Sequence, residues 1–124
     1  MKIRLFSFGF KYGCPEANIV LDVRFLPNPY WVPELKERSG LEAEVAAYVL
    51  ASQAGRDFIA CLEPLLLFLL DSHRQAGRED FSCAIGCTGG RHRSVAVTEH
   101  LRRALAGTAQ GGGLEIFHRD IERK

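Results

Sequence analysis

Ile85-Gly86-Cys87-Thr88-Gly89-Gly90-Arg91-His92-Arg93-Ser94-Val95 decides how this chain is read. The residues before it, Phe81-Ser82-Cys83-Ala84, are β-prone. Those after it place Val97, Leu101, Ala104 and Leu105 at helical spacing, so the glycines fall at a strand-to-helix turn. Gly86, Gly89 and Gly90 allow positive φ and close backbone approach, and successive N–H groups of such a turn converge on one anion beside the helix N-terminus. Arg91, His92 and Arg93 add donors, and a guanidinium grips phosphate through two parallel hydrogen bonds. Thr88 and Ser94 add hydroxyls, and Ser94 suits the N-cap of the helix. Cys87 through Ser94 therefore reads as a cradle for an anion, with phosphate as its occupant. The plainer alternative is a packing turn whose arginines are solvated charge. The coincidence of Gly-Gly, two hydroxyls and a basic triplet at one junction favours the cradle.

Working outward, residues 2 to 10 read as a first strand that ends in Ser7-Phe8-Gly9-Phe10-Lys11-Tyr12-Gly13, a flexible turn carrying the basic Lys11. Ile19 to Phe25 reads as a second strand with Asp22 and Arg24 on one side by period two, stopped by Pro27 and Pro29. Leu41 to Ser52 and Asp57 to Gln75 read as helices, with Pro64 kinking or dividing the second. Phe81 to Gly86 is a third strand, Ser94 to Leu105 a third helix, and Leu114 to His118 a last strand after the loop Gly111-Gly112-Gly113. Strands alternating with helices predict an α/β fold, a mainly parallel sheet with helices on both faces. Ligands of such sheets bind outside the carboxyl ends of the strands, so the turns after the first three strands are expected to line one pocket.

A chain of 124 residues makes one domain with a proper core. A formal charge of +1 sets up no global field for nucleic acid or membrane, so any RNA contact needs a local patch. The four cysteines contain no C-x-x-C pair and no zinc spacing, and no secretion signal is evident; both point to a reducing cytoplasm without disulfides. Phe58 to Leu70, broken by Glu63 and Pro64, falls short of the roughly 20 apolar residues that a membrane span needs and reads as a buried helix.

The three motifs Ser7–Gly13, Asp22-Val23-Arg24-Phe25-Leu26-Pro27-Asn28-Pro29 and Ile85–Val95, in this order and spacing, resemble the C-terminal domain of the bacterial RapZ family over nearly the whole chain. The resemblance implies a fold likened to a sugar-phosphate kinase subdomain, a role as adapter for small regulatory RNA, and sensing of glucosamine 6-phosphate. It implies that Thr88, Gly89, Gly90, His92, Arg93 and Ser94 surround the phosphate, with Cys87 and Arg91 in the same loop. Asp22, Arg24 and Asn28 would lie nearer the sugar, where a protonated amine favours a carboxylate such as Asp22; the alternative for Asp22 and Arg24 is a mutual ion pair. Tyr30 stands where many relatives place a histidine, and its phenol is not cationic at neutral pH. Lys11, His118 and Arg119 are further candidates. The family's P-loop sequence G-x-x-x-x-G-K-[ST] is absent, so nucleotide hydrolysis does not carry over, and a separate P-loop protein could complete the system in trans. Relatives assemble through this domain, which implies a homodimer.

Cys87 to Ser94 also satisfies C-x5-R-[ST], the pattern of cysteine-dependent phosphatases, with Cys87 as nucleophile and Asp22 as general acid. RNA binding through Lys2, Arg4, Lys11, Arg102, Arg103, Arg119, Arg123 and Lys124, with Tyr12, Tyr30 and Trp31 stacking on bases, is the other rival. His73 and His100 read as helix-surface residues, and His92 with His118 lacks the partners for a metal. The expectation is a non-enzymatic, cytoplasmic domain without metal or cofactor, which binds a sugar phosphate or another phosphate ligand such as a nucleotide. Arg93 is its first site residue.

Overall fold

The structure, a computed structural model, describes residues 1–107 and 113–123; Gly111, Gly112 and Lys124 lie outside the described residues. In chain order the elements are β1 (Lys2–Gly9), a 3-10 turn at Phe10–Tyr12, β2 (Ile19–Asp22), a second 3-10 turn at Pro29–Trp31 and α1 (Pro33–Lys36). Then follow α2 (Ala43–Leu50), α3 (Gln53–Gln75), β3 (Asp80–Cys87), α4 (Arg93–Leu105) and β4 (Leu114–His118). The four strands form one sheet in the order β2-β3-β1-β4, every pairing parallel. The fold is α/β, as the alternation of elements predicts.

Period two along β1 assigns the faces. Ile3 and Leu5 join Phe81, Cys83, Ile85, Leu114 and Ile116 in the main core, which also receives Val49 of α2, Leu62, Leu66 and Leu70 of α3, and Val97, Leu101 and Leu105 of α4. All three longer helices therefore cover the same face, which corrects the expectation of helices on both. The reason lies in the other half of the alternation. Lys2 and Arg4 pair with Glu115 at 3.0 and 3.2 Å and remain half exposed, which leaves little apolar surface there to bury. Phe6, Phe8 and Ala84 are covered by Phe10 and Ala17, and Phe6 stacks on Phe117 at 4.7 Å.

Element ends differ from the sequence reading for local reasons. β2 stops at Asp22 because the Asp22 carboxylate accepts the Arg24 N–H at 3.0 Å, an Asx turn that competes with the ladder. Asp22 and Arg24 thus meet through a turn and not along one strand face. α3 begins at Gln53, since the Ser52 hydroxyl caps Gly55 N at 3.0 Å, and it runs undivided through the exposed Pro64. No helix among the described residues is long and apolar enough to cross a membrane. Leu66 is 1% exposed at the centre of this layer. Leu66→Ala is expected to cost about 3 kcal/mol by opening a cavity, read as a lowered urea midpoint at unchanged slope.

Because the sheet is parallel, its carboxyl ends lie together. Gly9 is level with Cys87, Asp22 with Gly86, and Ser7 with His118. The turns that leave these ends meet over the α4 N-terminus.

Candidate functional site

The turns after β1, β2 and β3 line one cavity of about 590 Å3, together with α1 and the C-terminal turn. Gly9 and Gly90 let the first and third turns touch backbone to backbone. A Cβ on Gly9 would lie 2.5 Å from the Gly89 carbonyl carbon, and Gly90 holds φ at +75° with its own Cβ direction 2.6 Å from Gly9 N. Alanine at either position would force the turns apart.

Asp120, fully buried, locks this contact from the C-terminal side. Its carboxylate accepts Gly9 N at 2.8 Å and binds Arg119 at 2.8 Å and Arg123 at 2.9 Å. Burial alone would raise its pKa, but the Arg119 and Gly9 hydrogen bonds and the charges of both arginines outweigh that and hold the carboxyl below its ordinary range.

Arg93 lies at the start of α4, is 6% exposed, and borders the cavity. Its Nη1 donates to the Arg24 carbonyl at 2.6 Å and to that of Leu26 at 3.4 Å. Its buried Nε has no hydrogen-bond partner. A buried guanidinium N–H without an acceptor is costly, and the same side chain borders the cavity.

The other members of the loop divide by task. Thr88 and Gly89 border the cavity, Thr88 exposed and its carbonyl accepting Lys11 N at 3.2 Å. Arg91 and His92 border it too, but their polar atoms serve a structural end. Arg91 Nε donates to the Arg38 carbonyl at 3.3 Å and Nη2 to that of Glu37, while His92 Nε2 donates to the Lys36 carbonyl at 3.0 Å. They hold the chain after α1 against the site. Burial pushes the His92 pKa down, helped by the flanking Arg91 and Arg93 charges, against the opposing effect of its carbonyl partners, so the ring is neutral at pH 7. Ser94 is not the N-cap. That position belongs to His92, which makes no side-chain cap, and Ser94, buried in the first turn, instead places its hydroxyl 3.1 Å from the Cys87 thiol. Cys87 is 3% exposed and also borders the cavity.

On the sugar side, Asn28 and Tyr30 border the cavity and Asp22 and Arg24 do not. Asn28 accepts Tyr30 N at 3.1 Å, and Tyr30 carries Lys36 Nζ 4.6 Å from its ring centroid. Asp22 and Arg24 form the mutual ion pair at 2.6 Å, with the Arg24 guanidinium 4.1 Å from the Phe10 ring. The Arg24 side chain, outweighing a small effect of burial, holds the Asp22 carboxyl below its ordinary range. Lys11 borders the cavity; His118 and Arg119 do not. His118 Nδ1 meets the Ser7 hydroxyl at 2.7 Å and Nε2 the Glu99 carboxylate at 2.6 Å, and Arg119 also reaches the Gly13 carbonyl at 2.7 Å.

The sequence reading missed Lys36, Glu37 and the clamp at Asp120. Only the last had a signal, an acid between Arg119 and Arg123 that is able to bind both. Of the residues expected in a basic patch, Lys2 and Arg4 pair with Glu115, Arg102 with Glu99, and Arg119 and Arg123 with Asp120; Lys124 lies outside the described residues. Tyr12, Tyr30 and Trp31 are cavity walls. No group of three or more metal-ligating side chains occurs among the described residues.

Comparison with known proteins agrees with the motifs. A family model described as the RapZ C-terminal domain matches residues 1–122. A nucleotide-binding protein of Pelobacter propionicus is 49% identical over 124 residues, and one of Caldicellulosiruptor bescii 47% over 124 residues; each alignment covers 99% of this chain and 42% of the relative. A nucleotide-binding protein of Cutibacterium acnes is 44% identical over 125 residues, 100% of this chain and 42% of its own. The chain thus spans less than half the length of these relatives. With the glycine turn, the strand-end motifs and the match all in register, the chain belongs to the RapZ C-terminal domain family.

Proposed function

We propose that the cavity binds a phosphorylated small molecule, an amino-sugar phosphate such as glucosamine 6-phosphate, and that the domain acts without catalysis as the sensing part of a regulatory adapter. The observation that carries this reading is Arg93, a buried guanidinium with an unsatisfied Nε at a glycine turn and a helix start. A phosphate at this turn would place an acceptor beside the guanidinium. Glu37, the one acid among the described residues bordering the cavity, takes the place foreseen for Asp22 as partner of the sugar amine.

Two observations weigh against phosphatase turnover. The acid it would need, Asp22, is outside the cavity, and its salt bridge keeps it ionised at neutral pH, so it has no proton to give a leaving group. RNA or a P-loop protein in trans is the kind of partner to which the bound state would be reported, and a homodimer is the assembly the family suggests.

Calorimetric titration with glucosamine 6-phosphate, inorganic phosphate and glucosamine tests the reading. The amino-sugar phosphate is expected to bind, inorganic phosphate about tenfold or more weakly, and glucosamine not at all. Equal binding of glucosamine and its phosphate would sink the proposal.

A further inference from the structure

Trp31 is the most exposed large apolar side chain among the described residues, at 76%, and it borders the cavity. It belongs to neither apolar core. A single apolar residue in water is ordinary, but Trp31 stands beside Tyr30, itself 47% exposed, and both rings border the same cavity. An indole that buries so little adds little to folding and keeps its flat apolar surface for a ligand.

The indole is also held in place. Asn28 Oδ1 accepts Tyr30 N at 3.1 Å, Trp31 N donates to the Asn28 carbonyl at 3.2 Å, and Val32 N donates to that of Pro29 at 3.0 Å. The Tyr30 and Trp31 rings meet edge to face with centroids 5.1 Å apart, and Lys36 Nζ takes a further place on the Tyr30 ring. Arg91 and His92 bind the carbonyls of Lys36, Glu37 and Arg38, so the segment after the aromatic pair is tied to the turn that carries Arg93.

A pyranose with equatorial hydroxyls turns its C–H bonds to its two faces and its hydroxyls to its rim. Those C–H bonds are slightly positive and the face of an indole is negative, so the two surfaces match in charge as well as in flatness. The residues around the pair that border the cavity, Asn28, Lys36 and Glu37, donate and accept as a rim of hydroxyls requires.

We propose that Trp31 is a specificity-determining platform on which the sugar ring of the ligand stacks, while the phosphate lies at the Arg93 turn. The inference rests on reading the cavity as a sugar-phosphate site.

The test is a calorimetric titration of the whole chain with glucosamine 6-phosphate and with its reduced open-chain form, 2-amino-2-deoxyglucitol 6-phosphate. The two share amine and phosphate and differ in the ring. The ring form is expected to bind about tenfold or more tightly. An open chain also loses more rotational freedom on binding, so the decisive quantity is the change of this ratio in Trp31→Ala, a fall of about fivefold, with Trp31→Phe between the two. Trp31 lies outside both cores, so its variants keep the fold. It is the one tryptophan of the chain, and its emission is expected to shift on saturation with the ring form and to change little with inorganic phosphate. An unchanged ratio in Trp31→Ala, with binding still lost in Arg93→Gln, overturns the platform and leaves the phosphate site standing. Uridine 5′-monophosphate that binds more tightly than the sugar phosphate, and loses this advantage in Trp31→Ala, assigns the indole to a base and overturns the sugar ring as its occupant. No binding of either sugar form or of inorganic phosphate overturns the phosphate site and the platform with it.

Discussion

Arg93→Ala is expected to remove binding of glucosamine 6-phosphate, a fall of about a hundredfold or more, because two charge-assisted hydrogen bonds to phosphate disappear with the guanidinium. The same substitution strips the Arg24 and Leu26 carbonyls of their donor, at a cost to stability of about 1–3 kcal/mol. Arg93→Lys separates the two effects. An ammonium keeps the charge but cannot satisfy the Arg24 carbonyl and a phosphate with one planar fork, so it is expected to recover part of the affinity and little of the turn's rigidity. Calorimetry and urea unfolding on the two variants measure both quantities. Undiminished affinity in Arg93→Ala would mean that the phosphate is held elsewhere.

Asp120→Ala is expected to give the largest loss of stability among the polar substitutions, about 3 kcal/mol or more, since it leaves Gly9 N–H buried without an acceptor and two guanidiniums without their acid. The effect reaches the site because Asp120 presses the first turn against Gly90, whose Cβ direction points at the Asp120 Cβ from 3.1 Å. It also has a signature in pH. The Asp120 carboxyl is lowered on folding, so the stability it lends is fully present above its ordinary value of 3.8 and is lost as pH falls through the lowered folded value. The urea midpoint of the natural chain should therefore drop on acidification below about pH 4 more steeply than that of Asp120→Ala. Parallel pH profiles would show that the clamp contributes nothing through its charge.

Strand and helix identities were legible wherever the signal was local. The β-prone run before Ile85, the helical spacing of Val97, Leu101, Ala104 and Leu105, and the glycines between them placed the strand-turn-helix unit. The missed boundaries were set by side chains competing for backbone groups. Asp22 captures Arg24 N–H and ends β2 early, and Ser52 caps α3 ahead of the expected start. The arrangement of the helices could not be read from hydrophobicity alone, because Phe6 and Phe8 look like a face awaiting a helix. Only the cross-strand pairing of Lys2 and Arg4 with Glu115 shows that much of this face is satisfied without one.

By itself the sequence determined that this is an α/β domain with a glycine-rich basic turn at the end of a strand, and that turns distant along the chain share one end of the sheet. Those conclusions follow from periodicity and from the geometry of parallel strands, which act through near neighbours. The tertiary structure decided which polar groups are spare. Arg91 and His92 are used on the carbonyls after α1, and Asp22 and Arg24 are used on each other. Arg93 is left with an unsatisfied Nε. A guanidinium in a sequence carries the same donors everywhere; whether they remain available to a ligand depends on the carbonyls and carboxylates that folding brings within about 3 Å.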